Sequence, residues 1–284
     1  MRKIVIPSDF SPNAFNALKY AVELFKDEEC EFYLLHAFAE EVYNDEDALT
    51  SETIQEVKAN LKEKYEKRLK DKVEKILKHS QNPLHKFETV APFGYLIDEI
   101  NELVNKVKAD LVVMGTRGKT NNADLTFGSN TLQVIKYIQA PVLSIPENYK
   151  FRELHNILFP TNFMLPYQTS ELKLVADIGR SFNADLHMLY ISNFNLESLR
   201  QKENLKLIKE KFEGNKFHYH QIYGEERAQV INEQIEHFNI DLLVMVNSRY
   251  TYLENILFES TIDKISLYPR IPFMILQNFH RDNW

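Results

Sequence analysis

Residues 109–130 read ADLVVMGTRGKTNNADLTFGSN. Leu111 to Met114 is four apolar residues in a row, a pattern suited to a central strand covered on both faces. The run breaks at Gly115, and Ser129 to Ile138 reads as a helix. Glycine is scarce here, seven in 284 residues, and three of the seven (Gly115, Gly118 and Gly128) fall within fourteen positions. A chain so sparing with glycine spends it where the backbone needs it. Gly115 and Gly118 are expected to let the backbone approach a ligand. Gly128-Ser129-Asn130 opens a helix whose free N–H groups and positive dipole end suit an anion, with the Ser129 hydroxyl as a further donor. Arg117 and Lys119 are the cations that this segment supplies. Gly118-Lys119-Thr120 imitates the end of a P-loop, but the first glycine of that motif would fall at Val113, and Asn121 to Asp124 has no helical apolar stripe. The P-loop reading fails on both counts.

Outward from this stretch the first half alternates strand-like and helix-like runs. Strands are predicted at Lys3–Pro7, Glu31–Phe38, Lys86–Val90, Leu111–Met114 and Val142–Ile145. Helices are predicted at Asn13–Phe25, behind Ser11 as cap and Pro12 in the first turn, at Glu52–Leu77 and over Leu96–Val107. The long helix carries Ile54, Val57, Leu61, Tyr65, Leu69, Val73 and Ile76 on one stripe, and the acidic run Asn44–Asp47 reads as an exposed loop. Such alternation means βαβ crossovers and a parallel sheet, with ligands beyond the carboxyl ends of the strands.

The second half repeats the first. KIVIPSDFS from Lys3 lines up with NILFPTNFM from Asn156, and CEFYLLH from Cys30 with ADLHMLY from Ala184. ADLVVMGTRG from Ala109 lines up with IDLLVMVNSR from Ile240, and APVLSIP from Ala140 with IPFMILQ from Ile271. The offset falls from 153 to 131, the loss lying at the second helix, which is short around Leu196–Phe212. A length of 284 residues suits two domains, here 1–147 and 154–284, joined near Glu147–Glu153.

Asp9 follows strand one and would face the glycine loop if strands one and four are neighbours. A carboxylate there can accept from an adenine amino group or a ribose hydroxyl; the plainer role is to cap the first helix, which Ser11 can also do. IVIPSDFSPNAFNALKYA, LLHAF, VVMGTRGKT followed by FGSN, and APVLSIP together resemble a tandem universal stress protein, closely in the first half and more loosely in the second. The resemblance implies α/β architecture: two Rossmann-like, adenine nucleotide alpha hydrolase-like domains, each a five-stranded parallel sheet of order 3-2-1-4-5 with helices on both faces. It places adenine near Pro7, Asp9 and Ala37, and ribose and phosphates near Met114, Gly115, Arg117, Gly118, Gly128, Ser129 and Asn130. The implied ligand is ATP or AMP, with Mg²⁺ as a candidate companion; some members bind no nucleotide, and robust catalysis is not a hallmark of the family.

The second half departs from the motif. Asn162 stands for Asp9, Asn247 and Tyr250 for Gly115 and Gly118, and Glu259-Ser260-Thr261 for Gly128-Ser129-Asn130, with one residue fewer between. A tyrosine would block backbone approach and a glutamate at a helix start would repel phosphate, so this half reads as structural or regulatory. His218 and His220 share one face of a strand, a conceivable metal pair without a carboxylate or Cys at ligand spacing, and His36 reads as packed. Cys30, the single cysteine, reads as a small core residue.

A net charge of −7 with interleaved Lys and Glu disfavours nucleic acid. The lack of an 18-residue apolar run disfavours a membrane span, and the N-terminus lacks a signal-peptide pattern, so a cytoplasmic protein is expected. The reading is a stress-response protein that binds ATP, ADP or AMP in its first half. The alternatives are a slow ATPase or autophosphorylating enzyme, with Ser129, Thr116 or Thr120 as acceptor, and a scaffold without nucleotide. No triad or general base is legible. Strand five would be a sheet edge in each half, and APVLSIP and IPFMILQ are expected to cover each other in an intramolecular pseudo-dimer, as the resemblance also implies.

Overall fold

The computed structural model describes residues 1–43, 54–116, 127–165, 167–224, 226–247 and 270–277. The chain divides into two compact units, Met1–Phe151 and Arg152–Trp284. In unit 1 the order is β1 (Arg2–Pro7), α1 (Pro12–Leu24), β2 (Cys30–Leu35), α2 (Ala39–Tyr43), α3 (Ile54–His79), β3 (His85–Val90), α4 (Leu96–Val107), β4 (Leu111–Gly115), α5 (Ser129–Tyr137) and β5 (Val142–Ile145). The strands pair in parallel in the order β3-β2-β1-β4-β5. Every residue of β4 is buried, as its unbroken apolar run requires. The apolar stripe of α4 buries Ile100, Leu103 and Val104, and α3 buries Val57, Tyr65, Leu69 and Ile76 while Ile54 is left exposed.

Unit 2 consists of β6 (Asn156–Pro160), α6 (Thr169–Ser181), β7 (Asp185–Ile191), α7 (Leu199–Lys211), β8 (Lys216–Ile222), α8 (Arg227–His237), β9 (Leu242–Asn247) and β10 (Phe273–Gln277). Its strands pair in parallel in the order β10-β9-β6-β7-β8, the same topology with β6 in the place of β1.

The repeat extends to individual hydrogen bonds. After β1, the Ser8 hydroxyl accepts from the Phe10 amide (3.2 Å) and Asp9 Oδ1 from the Ser11 amide (2.9 Å). After β6, Thr161 Oγ1 accepts from Phe163 (3.0 Å) and Asn162 Oδ1 from Met164 (2.9 Å). The aromatic in each turn takes a left-handed backbone, φ 65° at Phe10 and 59° at Phe163. A non-glycine residue holds that conformation where local hydrogen bonds over-determine it. Asp110 and Asp241 likewise accept, through Oδ2, from the Lys3 amide of β1 (2.8 Å) and the Asn156 amide of β6 (3.1 Å).

Three expectations change. Strand two ends at Leu35, not Phe38, because both flanking strands end level with it: Pro7 and Val90 are its register partners. The chain then turns into the short helix α2. Register also moves the match to the glycine loop. Gly115 pairs with Ile145 in β5, and Val246 with Leu276 in β10, so Val246 occupies the place of Gly115 and Asn247 that of Thr116. From Val246 to Glu259 is then thirteen positions, the same as from Gly115 to Gly128, so no residue is missing between them. Tyr250 and Glu259-Ser260-Thr261 lie outside the described residues, as do Asn44–Asp47 and Lys119–Asp124.

Candidate functional site

The switch point of unit 1 lies between β1 and β4, where the order of connections reverses and the strand ends leave a crevice. A cleft of about 260 Å³ opens there. Its walls include Pro7, Ser8 and Asp9 after β1, His36 and Ala37 after β2, Met114 and Gly115 at the end of β4, and Gly128 to Thr131 at the start of α5. Eight residues singled out from the sequence thus meet in one cavity: Pro7, Asp9, Ala37, Met114, Gly115, Gly128, Ser129 and Asn130. Arg117 and Gly118 lie outside the described residues.

Each wall has a local cause. Ser11 caps α1 by accepting the Ala14 amide at 3.1 Å, with Pro12 as first helical residue. That leaves Asp9 out of the cap: its carboxylate closes the turn onto Ser11 N–H and lines the cleft. At Gly115 the glycine has a packing reason. A Cβ there would stand 2.5 Å from Nδ2 of Asn13, a buried residue of α1. Besides lining the cleft, that glycine leaves room for Asn13 of α1 beside β4. The Thr131 hydroxyl donates to the Gly115 carbonyl (3.0 Å) and Gly128 N–H to the Thr116 carbonyl (2.8 Å), which locks the start of α5 beside the end of β4. Gly128 is the N-cap of α5 and supplies no side-chain cap, and Ser129 and Asn130 are exposed at the helix start. That first turn, with the positive end of the helix dipole, lines the cleft.

Another part of the wall was missed from sequence. Glu40 and Glu41 of α2 line the cleft together with Gly94 and Leu96. The Tyr65 hydroxyl, from the middle of α3, donates to Glu41 Oε2, and Glu41 Oε1 lies 3.3 Å from Nε2 of His36. His36 Nδ1 donates to the Ser8 carbonyl (2.8 Å), so the imidazole ties the end of β2 to that of β1. Burial, and after it the Glu41 carboxylate, push the Tyr65 phenol well above its ordinary value. Phe10 packs on His36 and Tyr65, with ring centroids 4.5 and 5.8 Å away, and the Arg68 guanidinium sits 3.8 Å above Phe10. Burial and the neighbouring cations Lys75 and Arg68 hold the Lys72 ammonium below its usual value. Only tertiary structure brings Glu41 and Tyr65, 24 residues apart, into contact. Among the described lining residues the charged side chains are the carboxylates of Asp9, Glu40 and Glu41, beside His36.

The same place in unit 2 holds a polar network of its own. Glu171, buried in the first turn of α6, accepts from the Gln277 amide at 3.1 Å. The Gln277 side chain accepts from Asn247 Nδ2 at 3.0 Å, and Thr161 meets the Tyr167 hydroxyl. Val246 puts a branched side chain where unit 1 has Gly115. Elsewhere, Cys30 is buried and burial pushes its thiol up to about 12, which keeps it from acting as a nucleophile at neutral pH. No group of three metal-ligating side chains exists among the described residues, nor is any described helix long and apolar enough to cross a membrane.

Comparison with known proteins follows the same outline. The model of the universal stress protein family matches residues 1–146. Universal stress protein MJ0577 of Methanocaldococcus jannaschii is 31% identical over 153 residues, which cover 51% of this chain and 94% of that protein. Universal stress protein MJ0531 of the same organism is 35% identical over 150 residues, covering 52% and 84%. A solved universal stress protein from Archaeoglobus fulgidus aligns with 97% of this chain and 96% of its own, with a TM-score of 0.64 at 17% identity, a likeness of fold.

Proposed function

The chain belongs to the universal stress protein family, and on that premise we propose that its first half, residues 1–147, is a cytoplasmic module that binds an adenine nucleotide. The observation that carries the reading is the cleft among the described residues, where the start of α5 meets Asp9. The first-turn amides of α5, the Ser129 hydroxyl and Asn130 would hold phosphate, with Arg117 and Gly118 completing the loop. Asp9 would accept from ribose or base, while Pro7, Ala37 and Met114 supply apolar contact. The carboxylates of the cleft repel a polyanion, so Mg²⁺ would favour ATP over its absence by neutralising phosphate charge. ATP, ADP and AMP share the groups this site would read.

Residues 154–284 are, in this reading, a second universal stress protein domain whose ligand site has been given up. Its buried Glu171, Gln277 and Asn247 and the valine at the glycine position support that view. We further infer that strand five of each half, the last of its sheet, takes cover from the other half. An enzymatic reading has less support. No pairing of a base with Ser129 or Thr116 is found among the described residues, so hydrolysis would be slow, below about 1 s⁻¹.

Calorimetric titration of the full chain with ATP and Mg²⁺ tests the proposal, alongside mass spectrometry of a denatured extract for carried nucleotide. Ser129→Glu puts a carboxylate at the helix start and should weaken ATP at least tenfold, about 1.4 kcal/mol. Equal affinity with the fold intact would remove α5 from the site. Turnover faster than about 1 s⁻¹ that Asp9→Ala abolishes would make the protein an enzyme.

A further inference from the structure

Unit 2 carries a histidine cluster that the nucleotide reading leaves unused. His187 of β7 is in register with His218 of β8, and Leu189 with His220, so the three imidazoles share one face of the sheet. His187 lies 5.2 Å, centroid to centroid, from both other rings and 4.5 Å from Phe238, just past the end of α8. His220 also packs on Phe238, at 4.6 Å. His187 is 8% exposed. Its two nitrogens are both engaged: Nε2 with Asn156 Oδ1 of β6 at 3.1 Å, and Nδ1 with His220 Nε2 at 3.0 Å.

Proton counting decides what this chain of contacts can do. With both rings neutral, one proton lies between His187 Nδ1 and His220 Nε2, and every contact in the chain is a hydrogen bond; this holds for either orientation of the Asn156 amide. One added proton makes an imidazolium that can still donate both ways, but it is a charge buried against phenylalanine. A second sets N–H against N–H across 3.0 Å. The charged and titratable groups facing His187 are His220 and His218 from β8 and Asp185 from its own strand. His220 is faced by His218 and, from the end of α8, by His237. Asp185 accepts from His218 Nε2 at 2.8 Å, so its carboxylate is engaged at the outer ring. The neighbours of the inner pair are thus themselves imidazoles.

We propose that the Asn156–His187–His220 chain is a proton-linked latch that ties the β7–β8 edge of unit 2 to β6 and the end of α8, and that acidification releases it. This would give the half of the chain without a nucleotide site an input of its own, independent of whether unit 1 binds nucleotide. The imidazole of His187 is held down at about 4 by burial first and by His220 and His218 next. A folded value below the unfolded one means that the latch stabilises fully above about 6.5 and is lost as pH falls toward about 4. Its partner His220 is shifted in the same direction, by burial and then His218.

The test uses the full chain. Hydrogen exchange at the amides of residues 216–222, corrected for the intrinsic pH dependence of exchange, should show their opening equilibrium rising on the order of tenfold between pH 7 and pH 5. His187→Phe keeps the stack on Phe238 and removes the titrating group; His220→Gln keeps an amide donor toward His187 and removes the second ring. Either variant should flatten the pH dependence, and β1–β4 should show none of it in any form of the protein. Imidazole titration by NMR serves even if a variant fails to fold: His187 should titrate well below the ordinary histidine range. Titration of His187 near its ordinary value, or an unchanged pH dependence in both variants, would overturn the proposal.

Discussion

Gly115 has a packing role that its place in the sequence did not disclose. Its conspicuous place in a glycine-poor chain pointed to backbone exposure, yet the missing Cβ leaves room for Asn13 on α1. Asn13 is buried, so it cannot swing aside at little cost. Gly115→Ala is expected to destabilise unit 1 by about 1–3 kcal/mol through overpacking. Asn13→Ala in the same chain should return part of that loss, which urea unfolding of the two single variants and the double variant would measure as coupling. Additive losses would mean that the two residues do not press on each other. Asp9 is the converse case. Its capping role passed to Ser11, and its carboxylate remains at the cleft.

Among the elements, α2 and α3 decide the shape of the cleft. The five residues of α2 are too few to be stable alone. Glu41 holds the helix in place through Tyr65 on α3. Tyr65→Phe keeps the ring packing on Phe10 and Phe38 and removes the donor to Glu41. The expected loss is about 1–2 kcal/mol, that of a hydrogen bond to a charged group. Faster hydrogen exchange should be confined to α2, with α1 unchanged. Exchange rising equally in both helices would mean that Tyr65 supports unit 1 as a whole instead of this element. The cap of α1 can be tested separately: Ser11→Ala should cost about 1 kcal/mol, read as a lower midpoint in urea with an unchanged slope.

For the whole molecule, the shared turn after β1 and β6, the paired positive φ values at Phe10 and Phe163, and the Asp110 and Asp241 contacts describe one backbone plan used twice. Such duplication frees one copy to lose a ligand site while keeping its sheet. If the second half covers the edge of the first, residues 1–147 expressed alone should self-associate or aggregate, because strand five of that sheet would present unpaired backbone groups. Sedimentation of the fragment against the full chain reads this directly. A fragment that stays monomeric and soluble at high concentration would show that the edge needs no cover.

The order 3-2-1-4-5, and with it the meeting of Asp9 with the start of α5, came from the family resemblance; the sequence by itself determined the strand and helix alternation, the parallel pairing and the cap at Ser11. These last follow from local periodicity, turn chemistry and the rules of βαβ connection, all of which act over short stretches of chain. It also disclosed the repeat, although one slip of register exchanged Val246 for Asn247 at the place of Gly115. Strand pairing restores Val246, the residue that the alignment of ADLVVMGTRG with IDLLVMVNSR also sets opposite Gly115. The Glu41–Tyr65–His36 contact, the Glu171–Gln277 contact in unit 2 and the His187–His220 pair belong to tertiary structure alone. Their partners lie 24, 106 and 33 residues apart for Glu41–Tyr65, Glu171–Gln277 and His187–His220. Single polar residues in otherwise ordinary elements carry no period, and only the folded sheet brings them within hydrogen-bonding distance.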